Sequence, residues 1–315
     1  MKRISHIESE RVCEAAFLKS GEWWHLYTPG NLTALIFTSD DGYRFAMNLM
    51  ARCAAEFPTL LIAAFEIMSN PLHIVLCGDK HIIQEFFDTY RRRLKRFLSG
   101  RGPIRLPSQF QMELKPIEDL KALRNTIVYV NRNGYVVNPG HTPFSYPWGT
   151  GAYYFNNIPI PDKLSGLTDK EIRGMFRSRN PHLGEDTAVR DGYVVPPAYC
   201  AVRLGMSMFR DAHQYFFMVS KNVESYETVA AELDDGEYLT DTELFPQIFQ
   251  YVRTSYGCDS LKDITATQKL DLARKLRKDF RSSNGQIRRI LGLTQYEVDS
   301  MFPLGSSNVG KQMSV

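Results

Sequence analysis

The sequence predicts a mixed α and β domain over its first half, followed by a region that turns mainly helical and basic. Three observations carry this prediction. Between residues 23 and 155, apolar and β-branched runs alternate with segments of helical spacing. Gly, Pro and Asn clusters punctuate those segments. Beyond residue 240 the spacing is helical and Lys and Arg dominate the charge.

The 315 residues suggest about two domains. A hydrophobic content of 43% is enough to bury a core, so a disordered chain is excluded. The net charge of +3 is too small to argue for a polyanionic partner, so the distribution of charge has to carry that argument. The five cysteines are widely spaced and form no C-x-x-C, which argues against a disulfide framework or a zinc ribbon and fits a reducing cytoplasm. The first residues, MKRISHIESERVCEAAF, lack the apolar core of a signal peptide. The most apolar stretch, LLIAAFEIM, is short and carries Glu66, so no membrane partner is expected.

Residues 23–38 (WWHLYTPGNLTALIFT) read as strand, turn and short strand, broken at Pro29-Gly30-Asn31. Residues 40–56 have helical spacing of Phe45, Leu49 and Ala54 or Ala55 behind an Asp start. Residues 59–77 hold a turn and one or two strands. Residues 81–99 form a helix with Ile83, Phe86, Phe87, Tyr90, Leu94, Phe97 and Leu98 on one side. A Gly/Pro connector follows from Gly100 to Pro107. Residues 117–132 form another helix, closed by Gly134. The first domain therefore spans 1–155.

A connecting, mainly helical region spans 156–240. It opens Pro-rich, and Thr168-x-x-Glu171 is a capping box that starts a helix. Residues 208–221 read as helix. From Asn222 to Gln250 there are eight acidic residues and no Lys or Arg, which suggests a solvated, loosely packed stretch. The last region, 241–315, opens a helix over 265–280 with Leu270, Ala273, Leu276 and Phe280 on one face.

The C-terminal segment carries the clearest local signal. Ser283-x-x-Gln286 and Thr294-x-x-Glu297 are both capping boxes, and Gly292 breaks the chain between them. Two short helices about a Gly turn are the plan of a helix-turn-helix. The second helix would present Gln295 and Tyr296 at its N-terminal end, where base contacts are made in such motifs. From Arg274 to Arg289, a stretch that includes the pair Arg288 and Arg289, there are seven basic residues and one acid. That is the electrostatic footprint of a duplex-DNA module. A helical hairpin with a solvated basic face has the same pattern.

A second basic segment lies between Tyr90 and Arg105. Arg91, Arg92, Arg93, Lys95, Arg96, Arg101 and Arg105 occur there without an acid among them. Such a run repels itself, and a polyanion would relieve the repulsion. A solvated helix face is the plainer alternative.

Two further constellations are chemical. In IMSNPLHIVL, alternation puts His73 on the same strand face as Pro71 and Val75. Two ligands at i and i+2 would make half a metal site, but Pro71 offers no donor. Read alone, His73 is a core histidine. In LRNTIVYVNRN, Tyr129 and Asn133 fall at i and i+4, on one helical face. A core tyrosine near an amide and a nucleophile beside a metal ligand both fit that spacing.

Over residues 23–155 these segments, taken in order, resemble the tyrosine HUH transposases, in particular the REP-associated tyrosine transposase branch. WWHLYTPGNLTALIF is similar to the opening strand and Arg-Gly-Asn-type turn of that family. IMSNPLHIVL is similar to its M-P-N-H-V-H-L-L strand, and YRRRLKRFLSGRG to the basic helix that follows. IVYVNRNGYVVNP and YPWGTGAYYF resemble its Y-I-x-x-N-P and D-Y-x-W-S-S-Y-x-x-Y segments. About two-fifths of the chain is covered.

The resemblance implies an α+β fold with a ferredoxin-like antiparallel sheet. It implies DNA cleavage and rejoining at single-stranded or hairpin sites, through a 5′-phosphotyrosine bond and with Mg2+ or Mn2+ as cofactor. Carried over by position, Tyr129 is the nucleophile, and His73 and Asn133 are metal ligands. The family's first histidine falls at Pro71, and the turn lacks its arginine. One His and one Asn anchor such an ion weakly, so catalysis is expected to be impaired. His25 would be a substitute ligand if its strand pairs with that of His73. The partners expected are single-stranded or hairpin DNA at the first domain and duplex DNA at the C-terminal helices. The family includes monomers and homodimers. Two other readings stay open, a non-catalytic DNA-binding or regulatory descendant and a structural α/β protein.

Overall fold

The computed structural model describes residues 6–28, 36–37, 39–68, 72–100, 106, 110–137, 142, 144–159, 162–178, 181–220, 241–280, 282 and 284–302. The chain forms two units, Met1–Gly134 with His141–Val229, and Tyr135–Gly140 with Ala230–Val315. The architecture is mixed α and β.

The first unit opens with α1 (His6–Ser20), β1 (Trp23–Tyr27), α2 (Asp40–Glu56), β2 (Leu61–Ile67), β3 (Leu72–Cys77), α3 (Lys80–Ser99), β4 (Glu113–Ile117) and α4 (Leu120–Val137). The four strands form one sheet in the order β2-β3-β1-β4, and every neighbouring pair is antiparallel. It follows that β1 and β2, joined through α2, run the same way with β3 between them. Likewise β3 and β4, joined through α3, run the same way with β1 between them. Every residue of β3 (LHIVLC) is buried, as its near-continuous apolar run requires of a strand covered on both faces.

The helices follow from their sequence. Asp79 caps α3 by accepting from the backbone N–H groups of His81 and Ile82, and Gly100 ends it. Its buried stripe is Ile83, Phe86, Phe87, Tyr90, Leu94 and Leu98. Each such side chain contributes about 1.5–3 kcal/mol by leaving water. Phe97 instead stacks on Phe45 of α2, with ring centroids 3.5 Å apart. The helix expected to close at Gly134 continues to Val137. A glycine inside a helix costs only about 1 kcal/mol, too little to stop one by itself. An ion pair between Arg124 and Glu10 (2.6 Å) ties α4 to α1.

Residues 144–220 pack onto this framework. Trp148–Thr150 lie beside β2: Ile67 N–H donates to Trp148 O (2.9 Å) and Thr150 N–H to Phe65 O (3.0 Å). A second sheet of β5 (Asp162–Lys163), β6 (Ala188–Arg190) and β7 (Tyr193–Val194) is antiparallel. The Thr168–Glu171 capping box opens α5 (Asp169–Phe176). Asn48 of α2 is the joint. Its Nδ2 donates to Met175 O (3.2 Å) and Gly192 O (3.0 Å), and its Oδ1 accepts from Val194 N–H (2.9 Å). Beyond β7 come α6 (Val202–Ser207) and α7 (Ala212–Ser220), so the helix expected over 208–221 begins at Ala212.

The second unit holds α8 (Asp241–Tyr256), α9 (Ala266–Lys278), α10 (Asn284–Leu291) and α11 (Gln295–Met301). Leu244, Ile248, Val252, Leu272, Leu276, Ile287, Ile290 and Val298 share one core. The stretch expected to be loosely packed up to Gln250 is therefore helical from Asp241 on, with Leu244 and Ile248 in the core, and its residues 222–240 lie outside the described residues. On α9 Leu276 is buried as expected, but its buried companion is Leu272, while the expected Leu270 is 40% exposed. Leu270 and Leu272 lie 200° apart on a helix, so one face takes only one of them. Gly292, at φ +62°, turns the chain between α10 and α11. The Thr294–Glu297 capping box opens α11, whereas Ser283 lies outside the described residues. Among the described residues no helix is long and apolar enough to cross a membrane.

Candidate functional site

The candidate site is one face of the four-stranded sheet. Alternation puts His25 and Tyr27 of β1 on that face together. The register sets Tyr27 opposite His73 and His25 opposite Val75 on β3. On the other side it sets Tyr27 opposite Glu113 and His25 opposite Lys115 on β4. Glu66 of β2 sits opposite His73. His25 and His73 are thus diagonal neighbours, and His25 Nε2 lies 3.2 Å from His73 Nδ1. The Tyr27 ring lies parallel to that of His73 at 6.1 Å, and its hydroxyl donates to Glu113 Oε2 at 2.7 Å.

Helix α4 lowers Tyr129 onto this group. The Tyr129 ring meets His73 edge-on at 5.5 Å and His25 at 6.1 Å. Tyr129 and His73 are both 0% exposed, His25 is 2% exposed, and Asn133, one turn further along, is fully buried. A neighbouring network holds the helix in place. Asn131 Nδ2 donates to the Tyr215 hydroxyl (3.1 Å), and Thr150 Oγ1 donates to Asn131 Oδ1 (2.8 Å). The resemblance brought Tyr129, Asn133 and His73 forward, and the pairing of β1 with β3, on which His25 was conditional, adds His25 to them. Tyr27 and Glu113 were missed. The i, i+2 spacing of His25 and Tyr27 was the available signal.

The electrostatics keep His25 neutral. Burial lowers its pKa well below the ordinary value, and the neighbouring charges of His73 and Lys115 lower it further. In a hydrogen bond between two imidazoles, one nitrogen carries the proton and the other gives its lone pair. The 3.2 Å bond therefore occupies both of the facing nitrogens. Mg2+ and Mn2+ prefer about six mostly oxygen ligands. Two imidazoles engaged with each other and one amide do not fit that ion. Among the described residues no group of three or more His, Cys, Asp or Glu side chains is arranged to hold a metal. Pro71, Pro29, Gly30 and Asn31 lie outside the described residues.

The basic residues of α3 are less isolated than their sequence suggests. Arg91 pairs with Asp88 (3.0 Å), and Arg93 grips both carboxylate oxygens of Glu56 (2.7 and 2.8 Å). Both acids lie outside the Tyr90–Arg105 window, one a turn earlier and one on α2. Arg92, Lys95 and Arg96 are exposed, and Arg101 and Arg105 lie outside the described residues. In the second unit Arg288 and Arg289 are exposed on α10, and Tyr296 is 82% exposed at the start of α11. The side chain of Gln295 lies outside the description.

No protein-family model matches the chain, and no curated protein or solved structure matches it significantly.

Proposed function

We propose that this chain is a DNA-binding protein of the tyrosine HUH transposase type whose strand-cleaving chemistry is impaired. One observation carries the reading: Tyr129, on the helix after the fourth strand, rests on His25 and His73 of the two central strands. The strand order, with its two β-α-β crossovers, supports a ferredoxin-like sheet. That sheet and a tyrosine helix laid over it are what the resemblance leads one to expect.

The same geometry supports impairment. A tyrosine attacks a phosphate only if the phosphate reaches its hydroxyl, and the Tyr129 side chain is fully buried. Pro71 stands where the resemblance expects a histidine, and His25 takes up His73 instead. Burial of Tyr129 also favours a second reading, a non-catalytic regulatory descendant that retains DNA binding.

In the second unit, α10, the Gly292 turn and α11 support a helix-turn-helix for duplex DNA. Exposed Arg288 and Arg289 would contact phosphates, and Tyr296 would face base edges. The test is fluorescence anisotropy with labelled single-stranded, hairpin and duplex DNA. Neutralising about six phosphates should cost about a thousandfold in affinity between 50 and 200 mM salt. A flat salt response, or no binding at low salt, would overturn the DNA reading.

A further inference from the structure

Arginines from three separate elements of the first unit meet in one cleft. Arg52 comes from α2, Arg93 and Arg96 from α3, and Arg177 from the residue that ends α5. The cleft has a volume of about 450 Å³, and no Asp or Glu lines it. The stacked rings of Phe45 and Phe97 form part of its wall.

Four guanidiniums in one cleft repel one another, and the fold offsets little of that repulsion. Glu56 pairs with Arg93, and its charge offsets part of the effect of Arg93 on Arg52. Among the described residues no carboxylate pairs with Arg52, Arg96 or Arg177. Arg52 Nη1 donates to Phe176 O (3.3 Å), a backbone carbonyl at the C-terminal end of α5. The pKa of Arg52 is lowered, first by burial and then by the charge of Arg93. An anion in the cleft would reverse the second effect. Arg177 is held at φ +51°, a left-handed conformation that is unusual for a residue with a side chain.

We propose that this cleft binds a phosphate monoester, with the guanidiniums of Arg52, Arg93, Arg96 and Arg177 around the phosphate. Planar guanidiniums match phosphate oxygens in paired hydrogen bonds, and Glu56 fixes Arg93 in orientation without entering the cleft. The cleft is larger than a phosphate and lies in the size range of small-ligand sites. The Phe45–Phe97 wall offers an apolar surface to whatever the phosphate carries. Two sources share this chemistry, a free mononucleotide and the 5′-phosphate end of a DNA strand. The first stands without the DNA reading, and the second deepens it.

The test is calorimetric titration of the full chain with 5′-AMP, adenosine, and a short single-stranded oligonucleotide with and without a 5′-phosphate. The expected result is a phosphate-dependent gain of about tenfold or more for at least one of the two pairs of probes. Preference within the AMP–adenosine pair identifies a free nucleotide. Preference within the oligonucleotide pair identifies a strand end. Arg52→Gln should lower that affinity about tenfold. The exposed pair Arg96→Gln with Arg177→Asn should do the same while keeping the wild-type melting temperature, since Asn tolerates the left-handed conformation. Equal binding with and without the phosphate would overturn the site, as would variants that bind like wild type. Duplex binding through the second unit, measured alongside, reports separately on the DNA reading.

Discussion

His25 Nε2 and His73 Nδ1 share a hydrogen bond of 3.2 Å between the two central strands of the sheet, beneath the ring of Tyr129. The bond joins residues that face each other diagonally, two residues apart in the register. It holds two imidazoles together in a place that water does not reach. The consequence is structural before it is chemical, because a proton added to either ring must be accommodated inside the sheet–helix interface.

Acid should therefore destabilise the first unit. The folded pKa of His25 is depressed, while the unfolded chain takes up the same proton near the ordinary value of 6.5. Below that pH the unfolded state binds more protons, so stability falls with pH at up to about 1.4 kcal/mol per unit. Above it, His25 contributes no pH dependence. The groups facing His25 are His73, Tyr27, Tyr129, Lys115 and Glu113, and Lys115 adds to the loss. The chain has three tryptophans, Trp23, Trp24 and Trp148, all in the first unit, so their fluorescence reports its urea unfolding. Midpoints at pH 7.5, 6.5 and 5.5 should drop across the lower interval, and less so in His25→Phe.

Gly149 should not tolerate a side chain. An added Cβ would lie 2.6 Å from Phe65 O and 2.8 Å from Glu66 Cγ, where Trp148–Thr150 dock beside β2. The backbone oxygen cannot move without breaking the sheet edge. Gly149→Ala should cost about 1–3 kcal/mol. Gly166→Ala, which meets nothing within 4 Å, is the control and should be close to neutral. Tryptophan-monitored urea unfolding of both variants measures the difference.

Removing the paired arginines of α10 should separate duplex from single-strand binding. Arg288→Ala with Arg289→Ala should weaken duplex binding at 100 mM salt by about tenfold and reduce the salt slope by about two. Binding of hairpin or single-stranded DNA should change little. The check is anisotropy on both substrates over a salt series.

Much of the fold was legible in local sequence. The stripe of α3, with the Gly/Pro connector from Gly100 behind it, set that helix almost to the residue. Thr168 and Thr294 marked helix starts because a capping box is a four-residue signal. What failed was whatever depended on a distant partner. Leu270 and Leu272 are equally apolar, and only the neighbouring helices choose between them. The Arg93–Glu56 pair joins residues on different helices, so a charge count within one helix could not find it. At the site, spacing put Tyr129 and Asn133 on one helical face and left His73 a core histidine, and only the family resemblance singled the three out as a site. His25 entered only on the condition that its strand pairs with β3, and that pairing gives the 3.2 Å bond. The tie from Tyr27 to Glu113 needed the β1–β4 register, which no short motif encodes.

The most direct measurement is covalent trapping on DNA. The full chain is incubated with end-labelled single-stranded and hairpin oligonucleotides in Mg2+ or Mn2+, and the products are separated under denaturing conditions. With Tyr129 buried and His73 bonded to His25, wild type and Tyr129→Phe should give the same result, with no covalent adduct in either. A metal-dependent adduct formed by wild type and lost in Tyr129→Phe would contradict impaired catalysis, and would mean that the tyrosine reaches a DNA phosphate in solution.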